Sequence, residues 1–581
     1  MDKFSKIWGF GLLLLLFVIY NGVTVRFVYP KIFFLQAWVG IGLIFFSLQN
    51  YSENKLKLGP IALTCIALIL YCFATLLYAP DVVVGLFGPF WRGTGLLFYS
   101  SVLAAMLLLI EHLKVSKDKF ALGVIYTGFL LALIVMVSFL FTFNIERSIY
   151  LVVGNRNPLS FWLGSTIILS FLYKKSFPKN YKPLVFFLCL ICLIELFLLG
   201  SRSSLGGLAL SFILIGVMSG RKYLRFALGG SGLLGLLLVG QYFTMKSSIL
   251  EQLISRTKQF NRLGIWQGAW DSFLEHPILG YGMHGLIQGY WENYTSTLDK
   301  GHSWNENAHS LFLNVAGELG LIGLGLFAAL CFFVIKEISN KEAEDRAPWC
   351  GLLLFVMIYA MTQPFFVDTV LLVALILFLL SEKMVVSLPS QNIFWRTSKV
   401  VLGVVFLVIT YFQYHQIDLL NNARAEMGKH GNYRRLWKEL AAEPSYIDKV
   451  GAFFELQGLL ITSFAKVIPG ESDMDKEIRS RSQRFITEGL ENLIEENTHR
   501  PRMLRSYALN LIQENQLDKA LVYLDKIIAG SDQVTEVYYY KAVIFAKQRK
   551  NKEAKEMLLK VKALNPNYKG IDEQLAKLKD Y

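Results

Sequence analysis

The chain has 581 residues, 54% of them hydrophobic and only 18% charged, with a mean hydropathy of +0.43. Soluble proteins carry about 25% charged residues, so this composition excludes an ordinary water-soluble enzyme. The surplus is uneven: residues 1–414 hold 31 Lys and Arg against 20 Asp and Glu, whereas residues 415–581 hold 27 against 24 and are ordinary in composition.

A membrane helix needs roughly 20 apolar residues. By that measure, spans are predicted near 8–28, 32–49, 59–79, 94–111, 120–142, 157–173, 183–200, 203–219, 224–243, 309–335, 348–365, 368–381 and 397–414. The first has the basic start and apolar core of a signal peptide, but no small-residue cleavage site follows it, so it reads as a retained helix. Cys189 and Cys192 have a Cys-x-x-Cys spacing inside VFFLCLICLIELF, where they read as small apolar side chains rather than ligands or redox partners. Glu195, in the same run, is an intramembrane acid, a position that is usually functional. The spans are otherwise read as nearly free of charge.

Loop charge sets orientation. With Met1 cytoplasmic, the inner loops hold 20 basic residues, 16 of them Lys, and the outer loops hold 11, seven of them Arg: Arg26, Arg92, Arg147, Arg156, Arg202, Arg256 and Arg262. Thirteen spans then place the C-terminal segment outside the cytoplasm. Lysine suits attraction to an anionic leaflet. Arginine grips phosphate in bidentate fashion and keeps its charge at a low-dielectric boundary. The outward arginines as a set point to a phosphorylated, membrane-embedded ligand.

The longest non-apolar stretch, 244–308, is read as a large extracytoplasmic loop of a membrane domain covering 1–414. It contains Arg262-Leu-Gly-Ile-Trp266, His276-Pro277-Ile-Leu-Gly-Tyr-Gly282, and an aromatic segment around Trp291 and Trp304. His309 follows at the start of an apolar helix. The tryptophans read as interface anchors or as platforms for sugar faces. His276 reads as part of a turn. His284 and His302 have no spacing to partners that would make a metal site, and the loop acids include no Asp-x-Asp, which argues against a metal-dependent transferase.

Residues 415–500 read as a helical connector. Beyond them Ala508 and Ala520 recur as Ala542 and Ala554, each pair 34 residues apart, and Leu524 recurs as Leu558. A 34-residue period with small residues at helix crossings is the tetratricopeptide signature. The predicted domain, 501–581, is an extracytoplasmic α-solenoid that docks a protein partner or steadies an acceptor.

Four stretches resemble the superfamily of O-antigen ligases and O-antigen polymerases: GPFWRGTGLLFY at 88–99, GNRNPLSFWLG at 154–164, GSRSSLGGLAL at 200–210, and a long run from Arg262 to Phe327. The last is the most specific. The resemblance implies an all-α, polytopic fold of about 12–13 transmembrane helices, GT-C-like, in a bacterial cytoplasmic membrane. It implies an extracytoplasmic active site, an undecaprenyl-pyrophosphate-linked glycan donor, and no metal, cofactor, nucleotide sugar or nucleic acid. The family's essential arginines fall on Arg202 and Arg262, its histidine on His309, and a further basic residue on Arg92. His309-Ser310 stands where many members have His-Asn, which puts the neighbour's hydrogen-bonding role in question. Glu318, in Glu-Leu-Gly, recurs in the family motif and reads as structural.

The chemistry this implies is direct. Arg202, Arg262 and Arg92 would neutralise the departing pyrophosphate, and His309 would act as general base on the acceptor hydroxyl, inverting the anomeric carbon. The acceptor is left open between glycan, lipid and protein. Two readings from other classes also stand: a transporter of the lipid-linked glycan, and a membrane-anchored scaffold whose repeats do the work.

Overall fold

A computed structural model of the chain describes residues 2–18, 28–48, 55–89, 92–113, 115–149, 153–220, 262–292, 307–381, 386–389, 393–428, 501–530, 534–566, 568 and 570–577. Apart from one short ribbon, its regular elements are helices. In chain order the first are α1 (Asp2–Leu14), α2 (Tyr29–Leu48), strand β1 (Lys55–Leu58), α3 (Pro60–Thr75), α4 (Val82–Phe87), α5 (Leu96–His112), α6 (Lys117–Thr142), α7 (Ile145–Ile149), α8 (Arg156–Leu172), α9 (Lys182–Leu199) and α10 (Arg202–Ser219). Then come α11 (Arg262–Glu275), α12 (Leu286–Glu292), α13 (Leu311–Ser339), α14 (Ala343–Thr362), α15 (Val367–Leu380), strand β2 (Val386–Pro389) and α16 (Ile393–Gly428). The tail adds α17 (Pro501–Gln513), α18 (Leu517–Gly530), α19 (Thr535–Lys547), α20 (Asn551–Leu564) and α21 (Ile571–Lys577).

Local chemistry explains several boundaries. Pro60 opens α3 at a position whose N–H needs no partner. Asn155 caps α8 by accepting from the Asn157 N–H at 2.9 Å. Among the described residues, six helical stretches are long and apolar enough to cross a membrane: α2, α6, Lys179–Leu199, α10, α13 and Phe394–Tyr414 of α16; α3, α5 and α15 are shorter apolar helices. This is a multi-pass membrane protein. Eleven of the thirteen predicted spans coincide with a described helix or helical segment; the first, 8–28, does so only over its described residues 8–17, and the ninth, 224–243, lies outside the described residues. The connector, 415–500, lies outside them beyond the end of α16.

Close packing of the apolar helices relies on small residues and aromatic faces, as expected where lipid removes the hydrophobic drive between helices. α2 lies along α16, and there a Cβ on Gly40 would come within 2.9 Å of the Gly403 carbonyl oxygen. α1 meets α2 through a reciprocal pair: Trp8 Nε1 donates to the Trp38 carbonyl and Trp38 Nε1 to the Trp8 carbonyl, each at 2.9 Å. In the centre, α8 packs on α14, with the Phe161 and Phe355 rings stacked at 5.6 Å and Tyr359 at 4.5 Å from Phe161.

The expectation that the spans carry almost no charge besides Glu195 is corrected here. Lys31 and Asp368 form a fully buried ion pair at 2.6 Å between α2 and α15, and Trp162 Nε1 donates to the Asp368 carbonyl at 3.0 Å. Glu111, at the end of α5, accepts from Lys399 at 2.6 and 2.7 Å. Glu195 is buried, and among the described residues neither carboxylate oxygen has a side-chain hydrogen-bond partner.

Segments assigned by charge to the same side of the membrane touch one another. β1 pairs antiparallel with β2, Leu56 opposite Leu388, and Arg396 Nε donates to the Ser47 carbonyl at 2.9 Å. Lys175 pairs with Glu344. In the tail, α17 pairs with α18 and α19 with α20. The two pairs start at Pro501 and Thr535, and their second helices at Leu517 and Asn551, each 34 residues on. Ala508, Ala520, Ala542 and Ala554 are all buried where these helices meet their neighbours.

Candidate functional site

The stretch read as one large loop contains two helices, α11 and α12, and between them the segment Pro277–Gly282 is built into α13. α13 is interrupted at Gly320, whose φ of 60° and ψ of −157° are non-helical. Such a break leaves backbone groups without helical partners, and in an apolar environment these must be met from elsewhere. Pro277–Gly282 meets them. The Leu321 N–H donates to the Pro277 carbonyl at 2.8 Å, while the Tyr281 and Gly282 N–H groups donate to the carbonyls of Gly317 and Glu318 at 2.9 and 2.8 Å. Two glycines make this possible. A Cβ on Gly280 would lie 2.4 Å from the Glu318 carbonyl carbon, and one on Gly320 would lie 2.4 Å from the Ile278 oxygen. α3 and the turn that follows it brace the joint from behind: Tyr71 Oη donates to the Leu319 carbonyl at 3.0 Å, Tyr78 Oη to the Leu279 carbonyl at 2.9 Å, and Thr75 Oγ1 accepts from the Met283 N–H at 3.1 Å. His276 lies at the edge of this joint, its ring 4.5 Å from Tyr281 and edge-on to it.

Glu318 sits inside the joint, 8% exposed. It accepts from the His284 backbone N–H and lies within electrostatic reach of Arg92. His284 has a left-handed φ of 57°, and its Nε2 is 2.9 Å from the Thr94 carbonyl oxygen. Arg92 is half-buried, its guanidinium 5.8 Å from the centre of the Phe366 ring. Tyr290 donates to the Ile265 carbonyl at 2.9 Å, joining α12 to α11. Burial, then the Glu318 charge, pushes the Tyr290 hydroxyl well above its ordinary range, so it remains a neutral donor.

His309 lies two residues ahead of α13, at a left-handed φ of 48°. Asn307 Oδ1 accepts its N–H at 2.9 Å, and Asn314 Oδ1 accepts the Ala308 N–H at 2.7 Å. These bonds hold a half-buried imidazole at a backbone conformation that non-glycine residues rarely adopt.

Arg202 is the first residue of α10 and is exposed. Gly200, at φ 60°, ends α9 and leaves only Ser201 before the new helix. Ser160 Oγ lies 2.9 Å from Ser201 Oγ and 2.8 Å from Ser204 Oγ, which locks α8 to the start of α10. One turn earlier, Asn157 Nδ2 donates to Gln363 Oε1 at 2.9 Å. Gln363 opens the connector between α14 and α15, and Phe366, at its end, lies under Arg92. This connector therefore links the Arg92 stretch to the stretch beside Arg202, although nothing in the sequence reading singled it out. Arg262 begins α11, and its side chain lies outside the described residues; Arg26, Arg256, Trp304 and His302 also lie outside them. No group of three metal-binding side chains is found among the described residues.

Residues 187–328 match the sequence model of the family described as O-antigen ligase. This segment holds Arg202, Arg262, His284, His309 and Glu318. A Rickettsia conorii protein named "Putative polysaccharide ligase" is 33% identical over 96 residues, 16% of this chain and 23% of its own length. Proteins of the same name from Rickettsia prowazekii and Rickettsia felis are 30% and 31% identical over 98 and 99 residues. The chain thus spans about a quarter of the length of these relatives.

Proposed function

We propose that the chain transfers glycan from undecaprenyl pyrophosphate to an acceptor hydroxyl on the outer face of a bacterial cytoplasmic membrane. The observation that carries this reading is the family match over 187–328, which contains Arg202, Arg262 and His309 together. His309 is the general base: it takes the acceptor hydroxyl proton as that oxygen bonds to the anomeric carbon. The bond from that carbon to the pyrophosphate oxygen breaks, and its electron pair leaves with undecaprenyl pyrophosphate. Arg202 and Arg262, with Arg92, stabilise the charge that develops there. Attack from the face opposite the leaving group inverts the anomeric carbon, and the step needs no metal.

The thirteen-span topology, with Met1 inside and the tail outside, belongs to the same proposal. It is supported by the pairing of same-side segments: inner with inner, as in β1 with β2, and outer with outer, as in Arg92 with Phe366. The tail is a pair of tetratricopeptide repeats that docks a partner or steadies the acceptor. The test replaces Arg202, Arg262 and His309 singly by alanine. Each variant should insert normally and lose glycan transfer. Full transfer by His309→Ala would overturn the assigned base.

A further inference from the structure

Glu318 and His284 have no part in the reaction as proposed, yet both are fixed unusually tightly beside Arg92. Glu318 cannot drift, because its carbonyl is held by the Gly282 N–H at 2.8 Å and the next carbonyl by Tyr71 at 3.0 Å. Its buried carboxylate accepts from His284. His284 is left-handed, a conformation that a non-glycine residue keeps only when its surroundings over-determine it. A carbonyl only accepts, so the 2.9 Å contact to Thr94 makes Nε2 the donor and fixes the ring as a strap onto the loop bearing Arg92. That loop is closed on itself, with the Arg92 and Gly93 N–H groups donating to the Pro89 carbonyl at 2.9 and 2.8 Å.

We propose that Glu318 and His284 are positioning residues, a clasp that holds the Arg92 loop so that its guanidinium faces the pyrophosphate of the lipid-linked donor. This rests on the function proposed above. Phe366 covers one side of the guanidinium and the clasp braces its base.

The test uses the purified full chain in nanodiscs, with undecaprenyl pyrophosphate as the binding probe and glycan transfer measured in parallel. Glu318→Gln keeps the shape and exchanges the carboxyl group for an amide. It should weaken binding about tenfold, as should Arg92→Ala, with melting temperatures near that of the unaltered chain. The double variant should bind no more weakly than Arg92→Ala alone, because Glu318 acts through Arg92. A purely structural role would instead lower the melting temperature, and the losses would multiply. His284→Phe, which loses the donor to Thr94, should match Glu318→Gln and carries the test if Glu318→Gln does not fold. If the unaltered chain binds undecaprenyl pyrophosphate while Glu318→Gln and His284→Phe bind equally well, or if the losses multiply, the clasp alone is wrong. If the unaltered chain neither binds it nor transfers glycan, the function fails and the clasp with it.

Discussion

Replacing Gly320 by alanine should break the joint between α13 and Pro277–Gly282. The residue lies at φ 60°, ψ −157°, a region essentially confined to glycine, where another side chain costs about 1–3 kcal/mol. The new Cβ would stand 2.4 Å from the Ile278 oxygen and 2.7 Å from the Gly280 nitrogen, both backbone, so neither can swing aside. Relief requires Pro277–Gly282 to withdraw, which gives up hydrogen bonds such as Leu321 to Pro277 at 2.8 Å, at about 1 kcal/mol each. The sum is about 3–5 kcal/mol, a factor of a hundred or more in the population of the native joint. Gly325→Ala is the control: it lies in the same helix with nothing within 4 Å of its Cβ, and alanine there should be neutral or stabilising by roughly 0.5–1 kcal/mol. Apparent melting temperatures in detergent, read by loss of the monodisperse peak after heating, compare the two. If Gly320→Ala melts with Gly325→Ala, the reasoning about the joint is wrong.

Three further outcomes are expected. Lys31→Met leaves Asp368 buried without its partner and should cost about 3–5 kcal/mol, while the double change Lys31→Met, Asp368→Leu recovers most of it, as read by yield of folded protein and melting temperature. Ala554→Leu, at a fully buried helix crossing in the tail, should overpack it by about 1–3 kcal/mol and make residues 501–577 more sensitive to limited proteolysis, whereas Lys555→Leu beside it should not. Lys175 holds the Glu344 carboxyl below the usual carboxylate range, and Glu344 raises Lys175. Any stabilisation from this pair is therefore present near neutral pH, is lost as pH falls through the Glu344 value and is lost again as pH rises through the Lys175 value. Both side chains are exposed to solvent that screens them, so Lys175→Ala should leave the melting temperature at pH 7 unchanged.

Much of the fold was legible because apolar run length depends on composition alone: α2, α3, α5, α6 and α8–α10 begin within a few residues of the predicted spans. The repeat period was legible for a similar reason, since tight helix crossings impose small residues at fixed intervals. Partners far apart in the chain were not. Lys31 and Asp368 stand at the ends of apolar runs, where charges read as side markers, and nothing local pairs residues 337 apart. α11 was hidden inside a presumed loop because Gly264 and Gly268 weaken its helical signal. The left-handed turn at His309 was not legible, because it is set by Asn307 and Asn314 rather than by apolar spacing. At the proposed site, the motif pointed to Arg92, Arg202, Arg262 and His309 by residue type alone. It could not single out Gln363 or His284, whose contacts, to Asn157 and to the Thr94 carbonyl, form only once the chain is folded.

The Lys31–Asp368 pair also imposes an order on biosynthesis. Lys31 emerges early, and its counter-charge emerges 337 residues later. At roughly 5–20 residues per second, a ribosome needs tens of seconds to cover that distance. Throughout that interval α2 carries an ammonium without its final partner, so it cannot sink fully into its native place. The helices made in between must gather around an unfinished position. When α15 arrives, and then α16 against α2, the bundle closes end to end. A chain stalled or cut before residue 368 should therefore remain an open, quality-control-sensitive intermediate, however many of its spans have been inserted.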